Sequence, residues 1–171
     1  KRLATQAFRR PADGRDFTAL MRFYDESRKE SGFEQGVAAA IEAMLASPQF
    51  LFRLEPVVLA AKTPNATYRI GEAELGSRLS FFLWSSIPDD ELLKLATDGT
   101  LHQPAVLEKQ TRRMLADPKA RALVTNFANQ WLYLRDLKSA NPDVTVFPDF
   151  DDNLRQGFQR ETEMLFESVM R

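Results

Sequence analysis

Apolar residues recur along this chain at spacings of three and four, the period of one face of an α-helix. Phe17, Leu20, Met21 and Tyr24 fall at i, i+3, i+4 and i+7, and Gly32 stands where such a helix would end. Phe33, Val37, Ile41, Met44 and Leu45 repeat the spacing, with Ala38, Ala39 and Ala40 small enough to let a neighbouring helix approach. Leu3 to Phe8 is expected to be the tail of an earlier helix, ended by Arg9, Arg10 and Pro11 because the residue before a proline avoids the α region. Ser47 and Pro48 suit an N-cap and a first helical position ahead of the apolar Phe50, Leu51, Phe52 and Leu54. Pro56 to Asn65 changes character and is expected to be a linker, and its Asn65-Ala66-Thr67 sequon is too short a pattern to weigh.

The second part continues in the same period. Leu75, Leu79, Phe82 and Leu83 make one face of a helix, and Phe81 and Trp84 a second, which predicts a central, sandwiched element. Pro88 is expected in the first turn of the next helix, followed by Asp89, Asp90 and Glu91, with Gly99 closing it. Pro104 and Asp117-Pro118 mark further starts. Leu123, Val124, Phe127, Ala128, Trp131 and Leu134 form the cleanest stripe, from which Phe127 and Trp131 are expected in the core. After an irregular stretch from Ser139 to Phe150 comes a last helix with Leu154, Phe158, Leu165, Phe166 and Val169. No alternating strand pattern and no repeat of fixed period occurs. The expected fold is all-α, a bundle-like arrangement of about seven or eight helices without a sheet. A small helical module over residues 1–62 and a larger one over 63–171 are expected to pack as one globular unit. Lys1 lacks an initiator methionine and Arg171 falls inside an amphipathic pattern, so both ends are expected to be cuts within a longer protein, the larger module being truncated at its C-terminal end.

Composition narrows the classes of partner. At 44% hydrophobic and 27% charged residues the chain is that of an ordinary globular protein. Its 23 basic and 24 acidic residues leave a net charge of -1, with no field to draw it to nucleic acid or anionic lipid. No apolar run approaches the ~20 residues that span a bilayer. The absence of cysteine excludes disulfides, thiolate catalysis and thioether haem attachment within these residues. Nothing in the pattern sets an oligomeric state.

Candidate chemistry is sparse, and each candidate has a structural reading that outweighs it. Asp89, Asp90 and Glu91 are the densest carboxylates near apolar residues and could divide acid and base roles if burial separated their pKa values. First-turn acids are also ordinary capping chemistry. His102, the single histidine, is expected to face solvent or cap the turn before Pro104 rather than act as a base or haem ligand. Trp84 and Trp131 could line a pocket with Phe81, Phe82 and Phe127, although aromatics at helical spacing usually serve as core. Asp149, Asp151 and Asp152 fail as a calcium loop, since Leu154 falls where glycine is needed and Arg160 where glutamate is needed. Lys109, Arg112, Arg113, Lys119 and Arg121 form a basic patch diluted by Glu108 and Asp117, as on a solvated face. Glu161 and Glu163, two apart, do not share a helix face, and no Glu-x-x-His motif accompanies them. These residues assign no catalytic, cofactor or metal site.

Two long motifs carry a resemblance. RLSFFLWSSIPDDELLKLA, Arg78 to Ala96, and RRMLADPKARALVTNFANQWLYLRDL, Arg112 to Leu137, together with Phe147-Pro148 and the Glu161-Thr162 helix, resemble the helical domain of unknown function found in large planctomycete-type cytochrome proteins. That similarity runs from about Tyr68 to the end. FRRPADGRDF, Phe8 to Phe17, and ASPQFLFRLE, Ala46 to Glu55, resemble the small module that precedes that domain in the same proteins. The resemblance implies an exported multidomain parent in the periplasm or envelope of a bacterium, with c-type haem in other modules and none here. It implies neighbouring modules of the same polypeptide as partners and a structural or interaction role for this segment. The alternative is an enzyme domain built on the Asp89, Asp90, Glu91 turn and an aromatic pocket.

Overall fold

The computed structural model describes residues 1–53 and 69–171. The expected linker, the sequon and the boundary between the two expected modules lie outside the described residues. The protein is all-α, and no strand occurs among the described residues. Among the described residues there are eight α-helical segments: α1 (Arg2–Phe8), α2 (Gly14–Leu45), α3 (Pro48–Leu51), α4 (Glu72–Trp84), α5 (Asp90–Thr97), α6 (Pro104–Ala116), α7 (Asn129–Trp131) and α8 (Asp152–Met170). Between α6 and α7 lie a 3-10 turn, Pro118–Ala120, and a π-helical segment, Leu123–Ala128; a second 3-10 segment, Leu134–Lys138, follows α7. The chain divides into two compact units: Lys1–Leu79 with Ile87–Leu107, and Ser80–Ser86 with Glu108–Arg171.

In the first unit, α1 ends at Arg9, which takes up a left-handed backbone (φ 56°, ψ 24°) two residues before Pro11. Asp13 then starts α2 with a capping box: its carboxylate accepts from the Arg15 and Asp16 amides at 2.8 and 3.0 Å, and Asp16 returns a bond to the Asp13 amide at 2.8 Å. Gly32 breaks α2 with φ 87° and ψ −174°, so two helical arms meet there, where the pattern predicted a terminus. The arms fold back on each other. An added Cβ on Gly36 would stand 2.9 Å from the Tyr24 carbonyl and 3.0 Å from the Arg28 Cβ, residues that a straight helix would hold about 18 and about 12 Å away along its axis. Close approach therefore rests on Gly36 rather than on the alanine run after it.

Ala4, Ala7, Phe8, Ala12 and Met44 form a core with Phe17, Leu20 and Phe50 packed against it. Arg9, only 7% exposed, ties this core to α3: its guanidinium donates to the carbonyls of Gln49 (2.7 Å), Phe52 (2.8 Å) and Phe50 (3.2 Å). Elsewhere in the unit, Leu92 and Leu101 are fully buried, and Gly76 of α4 lies against Leu92, Ala96 and Leu101. Pro88 precedes α5 rather than lying in its first turn. Asp89 is the cap, since its carboxylate accepts from the Leu92 amide at 2.9 Å. Gly99 closes α5 with φ 70°, as the pattern predicted.

In the second unit the core is made of Leu83, Trp84, Met114, Ala120, Leu123, Val124, Ala128 and Leu134. The stripe expected from Leu123 to Leu134 is not a simple α-helix. A π-helical turn bonds i to i+5 rather than i+4, and of the expected stripe only Leu123, Val124 and Ala128 stay buried within it. Phe127 and Trp131, which an α-helical period would place inside, are 42% and 62% exposed. Asp151 caps α8 through the Leu154 amide at 2.7 Å. A buried polar cluster joins α8 to α7: Glu163 accepts from Asn129 at 3.0 Å and from Gln159 at 2.9 Å, with Arg160 3.6 Å away.

Candidate functional site

The three acids at the start of α5 occupy different environments. Asp89 is half-buried and engaged with the Leu92 amide. Asp90 is exposed and receives Arg2 at 2.7 Å and Gln6 at 3.1 Å, both from α1. Glu91 is exposed. This arrangement anchors the helix start, because an acid at the positive end of a helix meets amides that have no intrahelical acceptor.

His102 is drawn away from solvent. Its side chain is 16% exposed, and its Nδ1 lies 2.9 Å from one oxygen of Glu72 while its backbone amide donates to the other at 3.1 Å. One carboxylate thus pins the turn before α6 to the first turn of α4. Glu72 lies 30 residues away in sequence, and no local spacing announces such a pair. Among the described residues no group of three or more histidine and carboxylate side chains is close enough to hold a metal ion.

The two tryptophans, both in the second unit, play opposite parts. Trp84 is 3% exposed; its indole N–H donates to the Met114 carbonyl at 2.9 Å, and Lys119 and Arg113 stand 4.8 and 5.6 Å from its ring centroid. It is a core anchor whose polar tip finds an acceptor. Trp131 stacks on Phe127 at 5.7 Å, and Phe127 meets Phe82 edge to face at 5.6 Å. All three rings of this ladder are exposed, as are Leu132 and Tyr133 beside it in sequence. A second apolar feature of the same unit is a groove of about 370 Å³ whose lining includes Val146, Phe147, Phe150, Leu154 and Phe158.

Glu163 is the one strongly buried carboxylate described in this unit. Burial opposes its charge, but the bonds from Gln159 and Asn129 and the nearby Arg160 together outweigh that cost and hold its pKa below the usual 4.5. It acts as a tie between helices, a role hidden in the sequence because Asn129 is 34 residues away.

The geometry thus defines an all-α protein with ordered exposed aromatics. Residues 70–171, more than half of the chain, match the family PSD4, protein of unknown function (DUF1592), and the chain belongs to it. Residues 1–55 match PSD5, protein of unknown function (DUF1595). No curated protein and no solved structure matches the chain.

Proposed function

We propose that this chain is a helical structural and interaction module of a larger exported redox protein, and that it docks against neighbouring modules of the same polypeptide through the second unit. The observation that carries the reading is the Phe82, Phe127 and Trp131 ladder. Three aromatic rings held in mutual contact yet left to solvent are costly for an isolated domain and are what protein interfaces favour at their centres. The motif resemblance supplies the setting: a bacterial periplasm or envelope, with c-type haem carried by other modules. The chain has no cysteine, so thioether-bound haem belongs to those modules and not to this one. No reaction is assigned to the chain itself, and no observation favours the enzyme alternative.

The test is to express the remaining modules of the full-length parent separately, confirm their haem absorbance, and titrate them with the chain by calorimetry. The expected outcome is saturable association that weakens about thirtyfold in Trp131→Ala, the loss of about 2 kcal/mol typical of an aromatic anchor. Association unchanged by Trp131→Ala and by Phe127→Ala would refute the docking face, and a full-length parent without any haem attachment motif would refute the redox setting.

A further inference from the structure

The apolar groove of the second unit, about 370 Å³, takes Val146, Phe147 and Phe150 from the segment before α8 and Leu154 and Phe158 from α8 itself. Its walls are set by bonds within the unit. Asp143 accepts from the Thr145 amide at 2.7 Å through its carboxylate, and from the Val146 and Phe147 amides at 3.1 and 2.8 Å through its carbonyl. The Phe147 carbonyl in turn accepts from the Phe150 amide at 3.2 Å. From α8, Arg155 donates to the carbonyls of Leu137 and Ala140 and stands 4.9 Å from the Phe150 ring centroid, so the helix braces the segment near both of its ends. Phe150 and Phe158 meet at 6.4 Å. Despite this bracing, Phe147 and Phe158 are 57% and 43% exposed. Asp149 lines the same groove and is exposed. The acids beside it are committed, since Asp151 caps α8 and Asp152 pairs with Arg155 at 3.2 Å. Among the described residues no donor or cation meets the Asp149 carboxylate.

We propose that this groove binds a small organic ammonium, a molecule with an apolar or aromatic body and one positive nitrogen. Phenylalanine rings cover such a body by burial and attract the cation through the negative face of the ring, while the Asp149 carboxylate supplies the opposite charge. Arg155, the cation against Phe150, already has its counter-charge in Asp152 and leaves Asp149 to the ligand. The volume falls within the range of small-molecule sites, about 300–1,000 Å³.

The probe is phenethylammonium, with phenethyl alcohol as its uncharged counterpart and ethylammonium as the counterpart without a ring. Each is titrated into the full chain at neutral pH and low ionic strength and followed through the backbone amides by heteronuclear NMR. Phenethylammonium is expected to give saturable shifts between Asp143 and Phe158 with a Kd in the millimolar range. Each counterpart should bind about threefold to fivefold more weakly. Asp149→Asn should bring phenethylammonium down to the affinity of the alcohol and leave the alcohol unchanged. Phe147→Ala should weaken both probes that carry a ring. Both residues are exposed, and circular dichroism with the midpoint of thermal unfolding checks that each variant keeps the fold. No saturable shift, shifts confined to other parts of the chain, equal binding of either counterpart, or binding indifferent to Asp149→Asn would each overturn the proposal.

Discussion

Replacing each tryptophan by alanine separates the two roles assigned to them. Trp84 is 3% exposed, so Trp84→Ala forfeits nearly its whole transfer energy and leaves a cavity, together about 3–5 kcal/mol. It also removes the donor to the buried Met114 carbonyl, adding about 1 kcal/mol. Trp131 is 62% exposed. Of a side chain of about 250 Å² it therefore buries about 95 Å², worth at most about 2 kcal/mol. Reversible urea unfolding followed by far-ultraviolet circular dichroism should place Trp84→Ala well below Trp131→Ala in stability, by about 2–4 kcal/mol. The chain has only two tryptophans, so Trp84→Phe leaves Trp131 as the single reporter, and Trp131→Phe leaves Trp84. Acrylamide should quench Trp131 emission strongly and that of Trp84 weakly. Equal destabilisation by the two alanine variants, or equal quenching, would refute the exposed ladder and return Trp131 to the core of an ordinary α-helix.

At the start of α5, Asp89→Ala should cost about 1 kcal/mol by removing the N-cap, while Asp90→Ala should cost no more than about 1 kcal/mol because its pairing with Arg2 is exposed; thermal unfolding of the two variants compares them, and Asp89→Asn should recover most of the loss. For Glu163, whose pKa lies below its ordinary 4.5, the ionised form stabilises the fold above that value, and the contribution is lost as the pH falls through the lower folded-state pKa. Stability measured against pH should accordingly decline less steeply below about pH 4.5 in Glu163→Gln than in the parent chain; parallel curves would show that the carboxylate is not held by Asn129 and Gln159.

Fold class, most helix starts and the absence of strand among the described residues follow from the sequence because they depend on local chemistry. Asp13, Asp89, Asp117 and Asp151 each cap a helix start through an amide two or three residues on, the distance over which a cap acts. Gly32 and Gly99 break or end helices because their positive φ disfavours other residues. The long motifs are likewise contiguous, so family membership is legible in the sequence alone. What only the tertiary structure decides lies at longer range. Glu72 finds His102 and Asn129 finds Glu163 across 30 and 34 residues, and no periodicity encodes such pairs. The outward turn of Phe127 and Trp131 is hidden from the sequence for a different reason. Hydrophobic spacing presumes 3.6 residues per turn, and the π segment from Leu123 to Ala128 inserts an extra residue that only the packed backbone reveals. With that change Ala128 stays buried while Phe127 turns outward, and the aromatic ladder stands on the surface.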